Sequence, residues 1–183
     1  MIRESIVITT DKKNKAHVAP MGVILKKNKI FISPFIPSQT YLNLKEQKCA
    51  TINFTDDVKI FSDCILGKKK FQIKPTKRIK GFYLEKTLSY LEVRVDKHNE
   101  DKVRPKFDCK IVNENMLKPF RGFNRAQASI IEAAILISRL KILPLKKIKK
   151  EIKYLKIAVE KTAGVNEKTA WKKLMNKINS KNA

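Results

Sequence analysis

Hydrophobic positions in the first third of the chain recur with the period of a strand. Ile2–Thr10 is a β-branched run that ends in Thr9-Thr10 and the polar turn Asp11-Lys12-Lys13-Asn14-Lys15. A second run reaches about Lys26, a third covers 29–34, and Lys27-Asn28-Lys29 joins them. Strands linked by short polar turns predict an antiparallel meander. Pro34 and Pro37 stop it. Tyr41, Leu44 and Lys48 then fall at helical spacing, with Ser38 or Thr40 as N-cap. Cys49–Phe54 reads as a strand, and Thr55-Asp56-Asp57 opens a loop or short helix running to Gly67. One short strand is expected at Phe71-Gln72-Ile73, inside the basic stretch 68–80. Clearer strands cover 88–97, where Leu91, Val93 and Val95 alternate with charges, and 107–113, with His98-Asn99-Glu100-Asp101 as the turn between them.

After Pro119 the period changes to that of a helix. Asn124 with Gln127 three residues on is a capping-box arrangement. Ile130, Ala134 and Ile137, flanked by Ile131, Ile135 and Leu140, make that helix apolar nearly all round, so it is expected to be deeply packed. Pro144 starts a second helix, whose Leu145, Ile148, Ile152, Leu155 and Val159 form one stripe with lysines opposite. Ala163-Gly164 ends it, Asn166 is expected to cap a third, and Trp171, Leu174 and Ile178 supply that helix's buried stripe. Strands first and helices last indicate α+β, with a β-rich domain at 1–118 and a helical subdomain at 119–183.

The stretch from Ala16 to Ile24 breaks two strand rules, with Pro20 and Gly22 two residues apart. Proline gives up a ladder donor, and an interior glycine marks a bulge or a close approach by a ligand or another backbone. An edge strand with a bulge and one wall of a binding site are both open readings. Ser38-Gln39-Thr40 stands at a helix start, where a plain N-cap is the first reading and N–H groups and the dipole that favour an anion are the second. Asn53 lies amid an apolar strand, and a buried amide there needs partners, from the protein or from a ligand.

Composition narrows the partners. The 183 residues carry a net charge of +24, with 43% hydrophobic and 32% charged positions, which fits a globular protein attractive to anions. Few arginines, and the lack of an RG-rich, RNP-type or helix-turn-helix signal, argue against nucleic acid. No apolar run approaches the ~20 residues of a membrane span, and the N-terminus reads straight into a strand, so a cytoplasmic protein is expected. Cys49, Cys64 and Cys109 lie far apart without metal-ligand spacing and read as small buried hydrophobes. No GxSxG, HExxH, Walker or GxGxxG motif occurs, His17 is the one histidine in a candidate site, and no acid–base constellation emerges.

The run His17-Val18-Ala19-Pro20-Met21-Gly22-Val23, then Pro34 through Ser38-Gln39-Thr40-Tyr41-Leu42-Asn43-Leu44, then Thr51-Ile52-Asn53-Phe54, resembles the flavin-reductase-like FMN-binding split barrels. Within that group the chain is most similar to mostly archaeal proteins bearing a domain of unknown function. Phe123-Asn124-Arg125-Ala126, Ile131-Glu132-Ala133 and Lys161-Thr162-Ala163-Gly164 extend the likeness to nearly the whole chain. The resemblance implies a split β-barrel of about six antiparallel strands, usually a homodimer, with FMN held non-covalently near the interface. Ala19, Pro20, Met21 and Gly22 would present backbone to the isoalloxazine ring. Ser38, Gln39 and Thr40 would hold the phosphate, Asn53 would contact the ribityl-phosphate region, and Thr10 and His17 could line the site.

Flavin reductases carry an arginine near the phosphate segment, where this chain has Gln39. The counter-charge is therefore left to the basic 68–80 stretch or to Arg125. The implied function is a flavin-dependent oxidoreductase taking electrons from a nicotinamide or another donor. A flavin-binding module without turnover, or a basic protein that binds nucleic acid or another anionic partner, are the alternatives.

Overall fold

The computed structural model describes residues 1–180. The chain forms two compact units: Met1–Thr55 with Lys69–Pro119, and Asp56–Lys68 with Phe120 onward.

The first unit holds β1 (Ile2–Thr10), β2 (Ala16–Lys26), β3 (Lys29–Ile32), α1 (Gln39–Gln47) and β4 (Cys49–Phe54). It also supplies β5 (Ile73–Pro75), β6 (Phe82–Leu84), β7 (Ser89–Asn99) and β8 (Lys106–Met116), while α2 (Val58–Ile65) belongs to the second unit. Six strands close into an antiparallel barrel in the order β1-β2-β3-β8-β7-β4, with β1 paired to β4. Val7, Val23, Ile30, Ile32, Ala50, Ile52, Leu91, Val93, Phe107 and Cys109 fill the interior. Leu44 of α1 joins this core and Tyr41 packs against it, so the helix that follows Pro37 faces the barrel interior. Ser38 caps α1, its Oγ accepting from Tyr41 N.

The meander was legible because the β1–β2 register runs without a shift from Ile2↔Ile24 to Thr10↔Ala16. The short strand expected at 71–73 lies instead at Ile73–Pro75, paired with β6, which sequence reading missed. Three residues are too few to show a period of two.

β4 shows how the segment between β5 and β7 is held. Ala50 and Ile52 point into the core, so Cys49, Thr51, Asn53 and Thr55 face outward. Each meets the crossing segment. Cys49 Sγ lies 3.6 Å from Lys80 O, Thr51 Oγ1 donates to Phe82 O at 2.7 Å, and Asn53 Oδ1 accepts from Leu84 N at 2.8 Å. Thr55 Oγ1 donates to Lys86 O, and Thr87 Oγ1 returns a bond to Phe54 O. Tyr83 stacks on buried Tyr90, their ring centroids 4.1 Å apart. A row of alternate polar side chains thus fastens an irregular strap over one outer face of the barrel.

Glu92, next to a register irregularity in the β7–β8 ladder, is 0% exposed. Its alternation with Leu91 and Val93 reads as a solvent-facing charge, but the strap covers it. Its carboxylate accepts from the backbone N–H groups of Lys77 (3.2 Å), Arg78 (2.7 Å) and Ile79 (3.0 Å), and from Asn113 Nδ2 (2.8 Å). Burial by itself would raise its pKa; those hydrogen bonds outweigh burial and hold it below the usual glutamate value.

The second unit packs α2, α3 (Arg125–Ser138), α4 (Leu145–Thr162) and α5 (Val165–Asn179) around Ile130, Ala133, Ile137, Ile148, Trp171 and Leu174. Asn124 caps α3 through Ala126 N and Gln127 N. The Gln127 side chain is tied to α5, its Nε2 donating to Glu167 at 3.1 Å. The expected Asn166 cap is displaced: α5 starts two residues earlier, at Val165, with Gly164 as N-cap and no side-chain capping bond. Asp63 accepts from Lys68 and Lys173. Among the described residues, no helix is long and apolar enough to cross a membrane.

A folded pKa below the usual glutamate value of 4.5 means that the Glu92 contribution is fully present above that value and lost as pH falls through the folded pKa. Urea unfolding at pH 7, 5 and 3 tests this. Glu92→Gln is expected to be less stable than wild type by about 2–3 kcal/mol at pH 7, with the gap closing toward pH 3.

Candidate functional site

One edge of β2 is open. β1 pairs with it along Ala16–Ile24, but β3 reaches only Ile24–Lys26 on the other side, and among the described residues no strand is paired there to 16–23. This is where the barrel splits. Asp11 N donates to Lys15 O, and hydrogen-bonded pairs alternate from that point along the ladder, so Pro20 opposite Ile6 falls at a non-hydrogen-bonded position. Its nitrogen therefore faces the open edge, where the sheet asks for no donor. The continuous register excludes a bulge at Pro20 or Gly22.

Gly22 has a different reason from close ligand approach. A Cβ at this position would meet Ile2 Cγ2 at 2.8 Å and Glu4 Oε1 at 3.3 Å. The space over the glycine is taken by the chain's own β1 side chains. Ala19 and Met21 lie on the face opposite Gly22, and Met21 packs against the barrel core. What β2 offers a ligand is its backbone edge.

α1 borders this edge. Gln39 Nε2 donates to Asn43 Oδ1 at 2.7 Å, and Asn43 Nδ2 donates to Thr9 Oγ1 at 3.0 Å. Thr9 lies opposite His17. The relay therefore brings Gln39, Thr9 and His17 to one end of the barrel, with Asn43, which sequence reading did not single out, as its centre. A polar residue spaced i, i+4 from Gln39 on a short helix was the available signal. Ser38 uses an oxygen lone pair on Tyr41 N and keeps its own hydroxyl proton. The N–H groups of Gln39 and Thr40, in the first turn, have no carbonyl partner within the helix. Burial lowers the pKa of His17, so its imidazole is neutral at pH 7.

Three expected residues do not line this surface as predicted. Asn53 is 0% exposed and its amide is engaged by the protein: Nδ2 donates to Ile6 O and Thr51 Oγ1, and Oδ1 accepts from Leu84 N. It is a strap anchor. Thr40 is 2% exposed, leaving its backbone N–H rather than its side chain as a candidate donor. Thr10 is buried too, its Oγ1 donating to Lys80 O at 3.5 Å. Arg125 is exposed on the first turn of α3, in the second unit.

Residues 3–118 match the N-terminal domain of DUF447, described as a protein of unknown function, and residues 124–176 match the second DUF447 domain. The chain belongs to the DUF447 family. An uncharacterised protein of Methanocaldococcus jannaschii is 26% identical over 153 residues, 76% of this chain and 75% of that protein. An FMN-bound DUF447 protein of Methanosarcina mazei superposes with a TM-score of 0.82 at 20% identity, covering 96% of this chain and 94% of that one. Flavoredoxin of Methanosarcina acetivorans superposes at 0.51, with 14% identity over 65% of this chain and 74% of its own. Nitrilotriacetate monooxygenase component B of Bacillus cereus gives 0.55 at 12% identity, over 70% and 77%. These likenesses establish the split-barrel fold of the flavin-reductase-like proteins.

The crowding at Gly22 generates a double-mutant test. Gly22→Ala is expected to destabilise the barrel by about 1 kcal/mol. In an Ile2→Ala background the same change should be neutral or stabilising, since interior strand glycine costs about 0.5–1 kcal/mol relative to alanine. Denaturant midpoints of the four proteins measure it, and equal costs in both backgrounds would disprove the steric explanation.

Proposed function

We propose that this chain binds FMN non-covalently at the split of its barrel and works as a flavin-dependent oxidoreductase. The observation that carries the reading is the strand-free backbone edge of β2 beside the first turn of α1. The donor set fits the group. A flat ring needs a surface of apolar backbone and a few main-chain donors, which β2 supplies. A phosphate needs N–H groups and hydroxyls, which the α1 start and Ser38 supply. The FMN-bound relative from Methanosarcina mazei supports the same choice.

In this reading FMN, when bound, accepts and donates hydride or single electrons. The chain positions it. The β2 edge orients the ring, with Pro20 giving that edge a position without a donor. Neutral His17 adds no charge near the ring at pH 7. The Gln39–Asn43–Thr9 relay holds the α1 start against the end of β1. A homodimer, with a second copy closing the open edge, and a nicotinamide nucleotide as electron donor complete the proposal.

A second reading, an anionic-partner binder, has one observation behind it. The face of α4 carries Lys146, Lys147, Lys149, Lys150, Lys153 and Lys156, with Tyr154 76% exposed among them.

Purification without added flavin discriminates these. The protein is expected to be yellow, or to take up FMN on titration, and to release FMN on denaturation. Anaerobic NADH or NADPH is expected to bleach the bound flavin. Binding without bleaching by either nucleotide would leave a flavin-binding module, and a colourless protein that ignores added FMN would overturn the flavin reading.

A further inference from the structure

The outer side of α4 is not uniformly polar. Its inner stripe is complete: Ile148, Ile152 and Val159 lie in the core of the helical unit, with Leu155 packed against it. Solvation of the opposite side asks only for charge, yet Tyr154 stands 76% exposed there and Ile157 48%. Lys147, Lys150, Tyr154 and Ile157 recur at spacings of three and four, so they share one outward stripe.

Beside that stripe α3 and α4 leave a cleft of about 500 Å³. Leu136 and Leu155 form its floor and Tyr154 one wall, while Lys147 and Lys150 stand on the α4 bank. A shallower hollow of about 410 Å³ lies on the other flank of Tyr154, beside Lys153, Lys156 and Ile157. Lys156 pairs with Glu160 at 3.0 Å, and among the described residues Lys147, Lys150 and Lys153 have no ion pair. Glu132 stands on the α3 bank, and Glu151 also faces the cleft.

These features choose among occupants. A second copy docked through the same stripe would bring lysine onto lysine, on a chain that already carries +24. Nucleic-acid phosphates or an anionic lipid surface would find the lysines, but Glu132 and Glu151 repel them and the apolar floor stays unfilled. An extended peptide would bury backbone without partners, because the middle turns of α3 and α4 have their N–H and C=O groups bonded within each helix. A helix arrives with its own backbone satisfied, and its apolar face at helical spacing matches a groove between two helices. The lysine bank then selects acidic residues beside that face. Charge sets the orientation, and the aromatic wall supplies affinity.

We propose that the α3–α4 cleft docks an acidic amphipathic helix of a partner protein. The apolar face of that helix fills the cleft against Tyr154, and its carboxylates meet Lys147 and Lys150. The surface lies wholly within the helical unit, so the inference holds whether or not the barrel takes up FMN.

Fluorescence anisotropy of the full chain with a labelled model peptide tests it. The peptide is a helix with leucines at i, i+3, i+4 and i+7 and glutamates on its flanks. A scrambled peptide of the same composition keeps the charge and loses the apolar face. The helical peptide is expected to bind about tenfold more tightly than the scrambled one, and Tyr154→Ala should remove about tenfold of that affinity. Tyr154→Ala is expected to keep the wild-type melting temperature, since the side chain is exposed. Lys147→Glu/Lys150→Glu is expected to abolish most of the binding and its dependence on salt. Equal affinity for the two peptides, or no measurable binding of the helical one, would overturn the proposal. So would tighter binding of a short DNA duplex or of phosphatidylglycerol vesicles than of the helical peptide. Self-association in sedimentation equilibrium that Tyr154→Ala abolishes would give the cleft to a second copy and overturn it as well.

Discussion

Backbone in an irregular segment must find hydrogen-bond partners wherever it is covered, and this constraint shapes the barrel unit more than any single apolar contact. Between β5 and β7 the chain crosses the outer face of β1, β4 and β7 with only a three-residue ladder of its own. The sheet answers with side chains. Thr51, Asn53 and Thr55 meet the strap along β4, and Glu92 gathers its turn from β7. Without these bonds Ile6 and Ile8, fully buried on the outer side of β1, would face water. The barrel therefore has two apolar layers, one inside and one beneath the strap, and a polar seam stitches the second.

The same arrangement separates rigidity from recognition. Polar groups that look available in sequence are engaged in the stitching, while the β2 edge that no described strand covers and the α1 start lie outside it. Cofactor chemistry suits such a surface, since the protein need provide orientation and electrostatics rather than an acid–base pair.

Much of the fold was legible because period-two and period-3.6 patterns report which face is buried. β7 gave an alternating pattern, the other barrel strands read as β-branched or apolar runs between polar turns, and α3, α4 and α5 gave the helical one. What stayed hidden depends on a second layer. Glu92 alternates with apolar neighbours like any solvent-facing charge, and nothing local announces that a strap lies over it. Asn53 was recognisable as an amide in need of partners, but sequence does not say whether those partners are protein or ligand. Gly22 was recognisable as a close approach, yet the approaching atom belongs to Ile2, twenty residues earlier. Of the site, the β2 stretch and the α1 start were legible from proline and capping chemistry. Asn43 was not, because it acquires meaning only through its contact with Thr9, distant in the chain.

The pairing of β1 with β4 has a consequence for how the chain is made. β1 is made before every other strand of this barrel, and it acquires β2 at once through a short turn. Its other edge waits for β4, which lies about forty residues downstream, and its outer face waits longer still, for the strap. During that interval Ile6, Val7 and Ile8 form an apolar strand with a bare edge, the kind of segment through which nascent chains associate. Arg3 and Glu4 stand on one side of it, and Ser5, Thr9 and Thr10 bracket it with hydroxyls. Charges and hydroxyls at these positions keep the unfinished edge wet until its own partner arrives.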